Sequence, residues 1–331
     1  MSVPAAQSST KSKVAAVRVA AIIATYNRPA IVARLVRSMA REDSISVICV
    51  VDNGSDPTVK KSLESLDRRV RYIDAGSNRG CGGGLVLGLE SVLADKSISH
   101  FWILDDDAVI EPGCGTKLIT AMQQENADLA VPFIYDADGK IGSYPGPLKG
   151  QAWKEIRRPN TPADFIATCG SAPREIFWSP GVCVLVSRRA VEQCGLPRTD
   201  YWLMGEDIEY TARISARFKA TLVPEARAHH LPPPAKDAAA EQARRYAYVK
   251  FCAHLTNNTY TAIALPHGWR LFRHLPGNYL RFFRENGWAP RSVAQAFRCF
   301  FWGAIRREPA GSARFQKFRT AMMQSPPAKS T

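Results

Sequence analysis

The sequence predicts an α/β fold with a doubly wound, mostly parallel sheet flanked by helices, followed by a basic, aromatic-rich helical C-terminal region. Three observations predict it. Apolar runs of strand length alternate with helical patterns of roughly 10–15 residues, the signature of strand–helix–strand crossovers. The polar clusters TYNR, DNGSD, NRGCGGG and DDD each follow one of these apolar runs, and in parallel α/β sheets ligands bind beyond the carboxyl ends of the strands. The last stretch changes character: residues 266–331 hold 12 Lys/Arg against 2 Asp/Glu, and 12 of the 31 aromatic residues.

Taken in order, residues 1–13 are Ser-, Ala- and Lys-rich and read as a disordered tail. VRVAAIIATYN is a buried strand ending in a polar turn, and a helical pattern starts at Pro29. SVICVVDNGSD is a second strand, PTVKKSLESL a helix, VRYIDA a short strand, and NRGCGGGLVLGLESVLAD a Gly-rich turn opening a helix. HFWILDDDA reads as a strand that ends in acids. From Val131 to about Pro180 the pattern weakens into Gly- and Pro-containing loops. SPGVCVLVSRRAVEQCG is strand then helix, YWLMGEDIEYTARISARF carries an acid cluster that opens a helix, and KATLVPEARAHH is a strand. PPPAKDAAA marks a boundary, so the expected organisation is a main domain over 14–231 and a helical region over 232–331.

Composition narrows the function classes. Of 331 residues, 46% are apolar and 22% charged, ordinary values for a soluble globular chain. Gly and Pro number 22 each, which excludes a low-complexity or collagen-like chain. The formal charge is +14, of which +10 falls in residues 266–331, so the first 265 residues are close to neutral. The eight cysteines form no C-x-x-C pair, which argues against a zinc knuckle or redox dithiol and for a reduced, cytosolic setting. The N-terminus lacks a signal-peptide layout, and no uninterrupted apolar window of about 18 residues is present.

Several residues can carry chemistry. Residues two apart on a strand share a face, so Asp105 and Asp107 can converge while Asp106 points elsewhere. Adjacent carboxylates on a buried element repel unless neutralised, and a hard divalent cation such as Mg²⁺ or Mn²⁺ does that; a solvated acidic turn is the plain alternative. Gly80, Gly82, Gly83, Gly84 and Gly88 surround a helix start after Asn78, where backbone N–H groups can approach a phosphate, although a tight turn fits as well. Glu206, Asp207 and Glu209 form a second acid cluster at a helix start, suited either to a general base or to N-terminal capping. His229 and His230 end a strand, where a structural role competes with metal ligation.

Together, TYNRP, VVDNGSD, NRGCGGGLVLG, WILDDDA, SPGVCVLVSRRAVEQCGLP, YWLMGEDIEYTAR and PEARAHH, in that order from Val17 to about Tyr260, resemble the inverting glycosyltransferases of family 2, which have the GT-A fold. The nearest flavour is the bacterial galactofuranosyl- and rhamnosyltransferases. The resemblance implies that Thr25, Arg28 and Asp52 meet the nucleotide base and its surroundings, and that Asn78 and Gly80 line the ribose and phosphate side. It implies Asp105 and Asp107 as metal ligands with Asp106 near the donor sugar, Asp207 as the base with Glu206 beside it, and Glu209 and Arg213 supporting the helix. The family pattern A-R-V-W-H aligns His230 with the third ligand and His229 with the aromatic position, which leaves both histidines in play.

The chemistry so implied is a single inverting displacement. A sugar nucleotide, UDP-linked or dTDP-linked (UDP-galactofuranose or dTDP-rhamnose among them), loses its nucleotide with Mn²⁺ or Mg²⁺ offsetting the diphosphate charge, and Asp207 deprotonates a hydroxyl of a glycan or lipid-linked acceptor. The tail places Arg at helical spacings beside Phe, Trp and Leu, as in helices lying on an anionic membrane surface; an ordinary helical subdomain is the alternative. The expected location is the cytoplasmic face of the inner membrane, in cell-surface polysaccharide synthesis. The runner-up is a sugar-phosphate nucleotidyltransferase, whose Gly-rich loop would follow the first strand, where TYNRP stands. Nucleic-acid binding through the tail is a remote third, because nothing in the first 230 residues resembles an RNA-binding module; an inactive sugar-nucleotide-binding protein is disfavoured by the intact acid clusters.

Overall fold

The computed structural model of the protein describes residues 17–54, 57–143, 148–149, 161–231, 240–265, 268–272, 274–305, 307, 309 and 312–324. The expected disordered tail at 1–13 and the expected boundary at 232–239 lie outside these residues.

The first half alternates as expected. β1 (Val19–Thr25), α1 (Pro29–Ser38), β2 (Ile45–Asp52), α2 (Pro57–Glu64), β3 (Val70–Asp74), α3 (Gly80–Leu93) and β4 (His100–Asp105) follow in order. β5 (Ala108–Ile110), α4 (Cys114–Glu125), β6 (Leu129–Tyr135), β7 (Ile141–Ser143), α5 (Pro162–Cys169) and β8 (Arg174–Glu175) come next. Then come β9 (Cys183–Ser187), α6 (Arg188–Cys194), α7 (Glu206–Ser215) and β10 (Ala220–His230). One sheet runs β3-β2-β1-β4-β9-β6-β10-β5, with β7 on β6 and β8 on β10. β1 pairs in parallel with β2 and β4, β2 with β3, and β6 with β10, whereas β9 is antiparallel to both β4 and β6.

β1 alternates its side chains between two cores, as the strand pleat requires. Val19, Ala21 and Ile23 pack with Leu35 and Val36 of α1 and Leu118 of α4. Ala20 and Ile22 pack with Leu85 and Leu89 of α3, Val191 of α6 and Ile214 of α7. Both faces being covered, the parallel strands read as continuous apolar runs.

Two departures from the sequence reading have physical causes. The loop expected from Val131 is instead the fully buried strand β6. Its Pro132, which cannot donate a ladder hydrogen bond, sits where the register with β10 jumps between Val223 and Arg227. The glycines of α3 have a packing role that the sequence reading did not give them: a Cβ at Gly88 would lie 2.7 Å from Ile22 Cγ2, and one at Gly84 2.9 Å from Ala24 Cβ. Their absence lets α3 lie directly on the ends of β1 and β2.

The C-terminal region is helical, as expected: α8 (Ala240–Ala264), α9 (Trp269–Phe272), α10 (Leu275–Asn286), α11 (Pro290–Phe300) and α12 (Ala313–Gln324). It has its own core of Val249, Cys252 and Leu255 from α8, Phe282 from α10, Cys299 from α11, Trp302, and Phe315 from α12. A smaller cluster of Trp178, Ala212, Ala262 and Leu275 joins it to the sheet domain. Among the described residues, no helix is long and apolar enough to cross a membrane.

Candidate active site

The ends of β1, β2 and β4 lie side by side, with Ala24 opposite Asp105 and Thr25 opposite Asp52. Asp106 turns back toward β1. Its Oδ2 accepts from Thr25 Oγ1 at 2.7 Å and its Oδ1 from the Arg28 guanidinium at 3.0 Å. The same Arg28 nitrogen reaches Asp107 Oδ2 at 3.5 Å. Asp106 thus binds Thr25 and Arg28 and is not among the grouped Asp105, Asp107 and His230, although Arg28 bridges it to Asp107.

β5 explains how His230 arrives. This short strand, which begins one residue after the triplet, pairs antiparallel with the end of β10, setting His230 opposite Ala108. The Leu231 N–H donates to the Asp107 carbonyl at 2.9 Å, and His230 Nε2 lies 3.2 Å from Asp107 Oδ1. Asp105, Asp107 and His230 each offer a ligand atom, all within 4.8 Å of one another. Neighbours on a strand face opposite ways, so His229 points away, toward Glu111 Oε1 at 3.1 Å and the Tyr135 ring. Of the two histidines, His230 is the one that faces the acid pair.

Asp207 joins this rim from the other side of β4. The Asp105 N–H donates to the Val182 carbonyl at 3.1 Å, and the adjacent Gly181 N–H donates to Asp207 Oδ2 at 2.8 Å. Asp207 Oδ1 accepts from the Ile208 N–H at 2.7 Å. The two acid clusters, a hundred residues apart in the chain, thus share one rim.

The electrostatics follow from crowding. Burial, then the charges of Asp107 and Asp207, push the Asp105 carboxyl up to about 7. Burial and the Asp207 charge push Glu206 up to about 8. Burial also raises Asp207, against the backbone N–H groups of Gly181 and Ile208, and raises Asp106, against Thr25 and Arg28. For Asp107 burial works the same way, but the His230 hydrogen bond and charge and the Arg28 guanidinium outweigh it and hold the carboxyl low. The Asp107 hydrogen bond in turn raises His230. Glu206 is buried, and its Oε2 has no hydrogen-bond partner among the described residues. Two carboxylates and an imidazole facing one space, in a surplus of negative charge, are a donor set that fits a divalent cation.

The remaining residues expected on the nucleotide side bond chiefly to their own loops. Asp52 accepts from the Gly54 N–H at 2.7 Å and the Tyr72 hydroxyl at 3.0 Å. Asn78 Oδ1 accepts from the Gly80 N–H at 2.9 Å. Asn53, which the sequence reading missed, ties them together: its Nδ2 donates to the Gly80 carbonyl and its Oδ1 accepts from the Arg79 N–H, each at 3.2 Å. Its position in the DNGSD cluster was the available signal. Glu209 grips Arg213 at 2.8 and 3.0 Å, the expected support within α7.

Comparisons with known proteins agree with this architecture. The low-salt glycan biosynthesis hexosyltransferase Agl10 of Haloferax volcanii is 24% identical over 176 residues, 53% of this chain and 55% of that protein. The match thus spans about half the length of that relative. The N-acetylglucosaminyl-diphospho-decaprenol L-rhamnosyltransferase of Mycobacterium tuberculosis is 26% identical over 215 residues, covering 58% of this chain and 68% of that protein. Among solved structures, S. aureus TarS in complex with UDP-GlcNAc superposes with a TM-score of 0.55 at 12% identity, covering 93% of this chain and 91% of that one. GalNAc-T7 with UDP, GalNAc and Mn²⁺ superposes with a TM-score of 0.52 at 15% identity, over 82% of this chain and 56% of that one. At these identities the structural likeness speaks for the GT-A fold alone. The profile described as Glycosyl transferase family 2 matches residues 20–193, more than half of the chain, and stops short of Asp207 and His230. The chain belongs to glycosyl transferase family 2.

Proposed function

We propose that the protein is a metal-dependent inverting glycosyltransferase that moves a hexosyl group from a nucleoside-diphosphate sugar to an acceptor hydroxyl. The observation that carries this reading is the shared rim on which Asp105, Asp107 and His230 face one another one backbone step from Asp207. Bound there, Mn²⁺ or Mg²⁺ would offset the charge that develops on the departing diphosphate; the imidazole in the donor set favours Mn²⁺.

The residues of the chain do the rest. Asp105, Asp107 and His230 would hold the cation, and Thr25 and Arg28 fix the Asp106 carboxylate beside it. Thr25, Arg28, Asp52, Asn78 and Gly80 line the nucleotide side. Asp207 has each carboxylate oxygen fixed by a backbone N–H, leaving a lone pair to accept the acceptor proton. As that proton leaves, the hydroxyl oxygen bonds to the anomeric carbon, and the carbon–oxygen bond to the diphosphate breaks with its electron pair leaving on the nucleotide. Burial raises Asp207, which makes it a better base near neutral pH.

A UDP-linked sugar is the donor class that the named neighbours support, a dTDP-linked hexose remains the second expectation from the sequence, and a glycan or a lipid-linked glycan is the acceptor. A lipid-linked acceptor fits the outer face of the C-terminal helices, read here as a peripheral contact with the cytoplasmic leaflet of an anionic membrane. Val293, Phe297 and Phe300 form an exposed stripe on α11, and Trp288 and Ile305 add to it with 66% and 60% exposure. Arg281 and Arg284 of α10 and Arg291 and Arg298 of α11 are exposed as well, and a basic residue near an anionic leaflet is worth about 1 kcal/mol. Flotation should recover the protein with phosphatidylglycerol vesicles and lose most of it for Phe297→Asp; equal recovery would remove the membrane contact.

A thermal-shift screen of UDP- and dTDP-sugars with and without Mn²⁺ tests the reaction class, because a ligand that binds only the native state raises the melting temperature. At least one such sugar should raise it in a Mn²⁺-dependent way and be consumed when acceptor is added. A screen without any Mn²⁺-dependent shift would overturn the proposal.

A further inference from the structure

The segment that delivers the Glu206–Asp207 pair is held in an unusual backbone state. Trp202 has φ of 56° and Met204 of 68°, both in the left-handed half of conformational space, and Gly205 follows at 92°. Non-glycine residues there are disfavoured and persist only where their surroundings hold them. Part of the hold comes from α8, whose Asn257 side-chain amide donates to the carbonyls of Tyr201, Leu203 and Met204 at 3.3, 3.1 and 2.6 Å. Trp202 is the residue that Asn257 skips. Its carbonyl instead accepts the Cys81 N–H at 2.9 Å, and it presses so closely on the donor-side loop that a Cβ at Gly80 would lie 2.1 Å from the carbonyl oxygen.

The Trp202 ring is held from a third direction. The Arg319 guanidinium of α12 lies 3.9 Å from the ring centroid. Phe315 and Phe318 seat α12 against Trp302, and Arg319, one helical turn after Phe315, emerges on the same side of the helix. Among the described residues no carboxylate pairs with Arg319, and its guanidinium stacks on the indole. Its charge, like that of Arg28, reaches Tyr246 of α8.

We infer that Arg319 is a positioning residue of the transfer site, clamping Trp202 so that the turn leading into Asp207 stays seated on the Gly80 loop. Helix α12 is then a working part of the active site. The inference rests on the reading of Asp207 as the base, but its clamp is measurable without any sugar. The Cys81 amide reports directly on the Trp202 carbonyl, and local opening sets its hydrogen exchange.

The test compares Arg319→Met, which keeps length without charge, with Arg319→Lys, which keeps a cation over the ring. Arg319→Met should speed exchange of the Cys81 and Leu203 amides by about tenfold and lower kcat by about tenfold or more. Donor KM should stay within about threefold of wild type. Arg319→Lys should restore both with the same melting temperature. Unchanged exchange in Arg319→Met, a donor KM that rises while kcat holds, or a lysine variant as impaired as the methionine one would each overturn the clamp. If wild-type protein transfers no sugar but Arg319→Met still loosens Cys81, the clamp stands and the proposed reaction falls.

Discussion

Gly181 donates its backbone N–H to Asp207 Oδ2 at 2.8 Å, and the next residue, Val182, accepts the N–H of Asp105 at 3.1 Å. Two peptide units just ahead of β9 therefore set the spacing between the acid that would take the acceptor proton and one of the acids that would hold a cation. A backbone link of this kind tolerates little error, since small displacements of reacting groups carry large rate penalties.

Asp207→Asn should abolish transfer while leaving nucleotide binding intact. The amide keeps the size of the side chain and loses the basic lone pair, so kcat should fall by about 10²–10⁴. Calorimetry with UDP and Mn²⁺ should give a dissociation constant close to wild type; a variant that transfers at the wild-type rate would clear Asp207 of the role.

Gly181→Ala probes the spacing itself. The added Cβ would meet Asp207 Cβ at 2.8 Å, so the base must move or β9 must shift, at a cost of about 1–3 kcal/mol. The expected signature is a large loss of kcat with a modest fall in melting temperature. Full activity would mean that the hydrogen bond to Asp207 is dispensable.

His230 and His229 separate a ligand from its neighbour. His230→Ala should weaken Mn²⁺-dependent UDP binding by at least about tenfold, in line with loss of a metal ligand or its support. His229→Ala removes only the Glu111 and Tyr135 contacts and should leave Mn²⁺ dependence unchanged. Equal losses in both would put the cation elsewhere.

The raised acids predict a pH-dependent stability. Asp105 moves from 3.8 to about 7 and Glu206 from 4.5 to about 8, so between those values the folded protein binds protons that the unfolded chain has released. Metal-free stability should therefore fall as pH rises from about 4 to 8. A cation competes with those protons, so stabilisation by Mn²⁺ should grow over the same interval. Melting curves at pH 5 and pH 8 check both signs, and Glu206→Gln should flatten the metal-free slope. A metal-free melting temperature that climbs steadily to pH 8 would contradict the buried-acid picture.

How far the sequence reveals all this depends on the range of the interaction. The first four strands, the polar end of β1 and the acid ends of β2 and β4 are legible because burial on both faces forces continuous apolar runs, and polar residues survive only where the run stops. The Asp105–Asp107 pair and the start of α7 at Glu206 are legible for the same local reason. β6 is not, because Pro132 and a register jump break its local pattern while the burial that makes it a strand comes from β9 and β10. Helix α4, to which the periodicity assigns nothing, likewise owes its place to packing against β6 and β10.

By itself, then, the sequence determined the alternating sheet, the order of its polar ends and the family resemblance, since period and composition act through near neighbours. Only the tertiary structure decided between His229 and His230, through the pairing of β5 with β10, and linked Asp207 to Asp105 through Gly181 and Val182. It alone set Arg319 on Trp202 across more than a hundred residues of chain. These are contacts between residues with no shared periodicity, and they exist only once the sheet has closed and the C-terminal helices have packed on it.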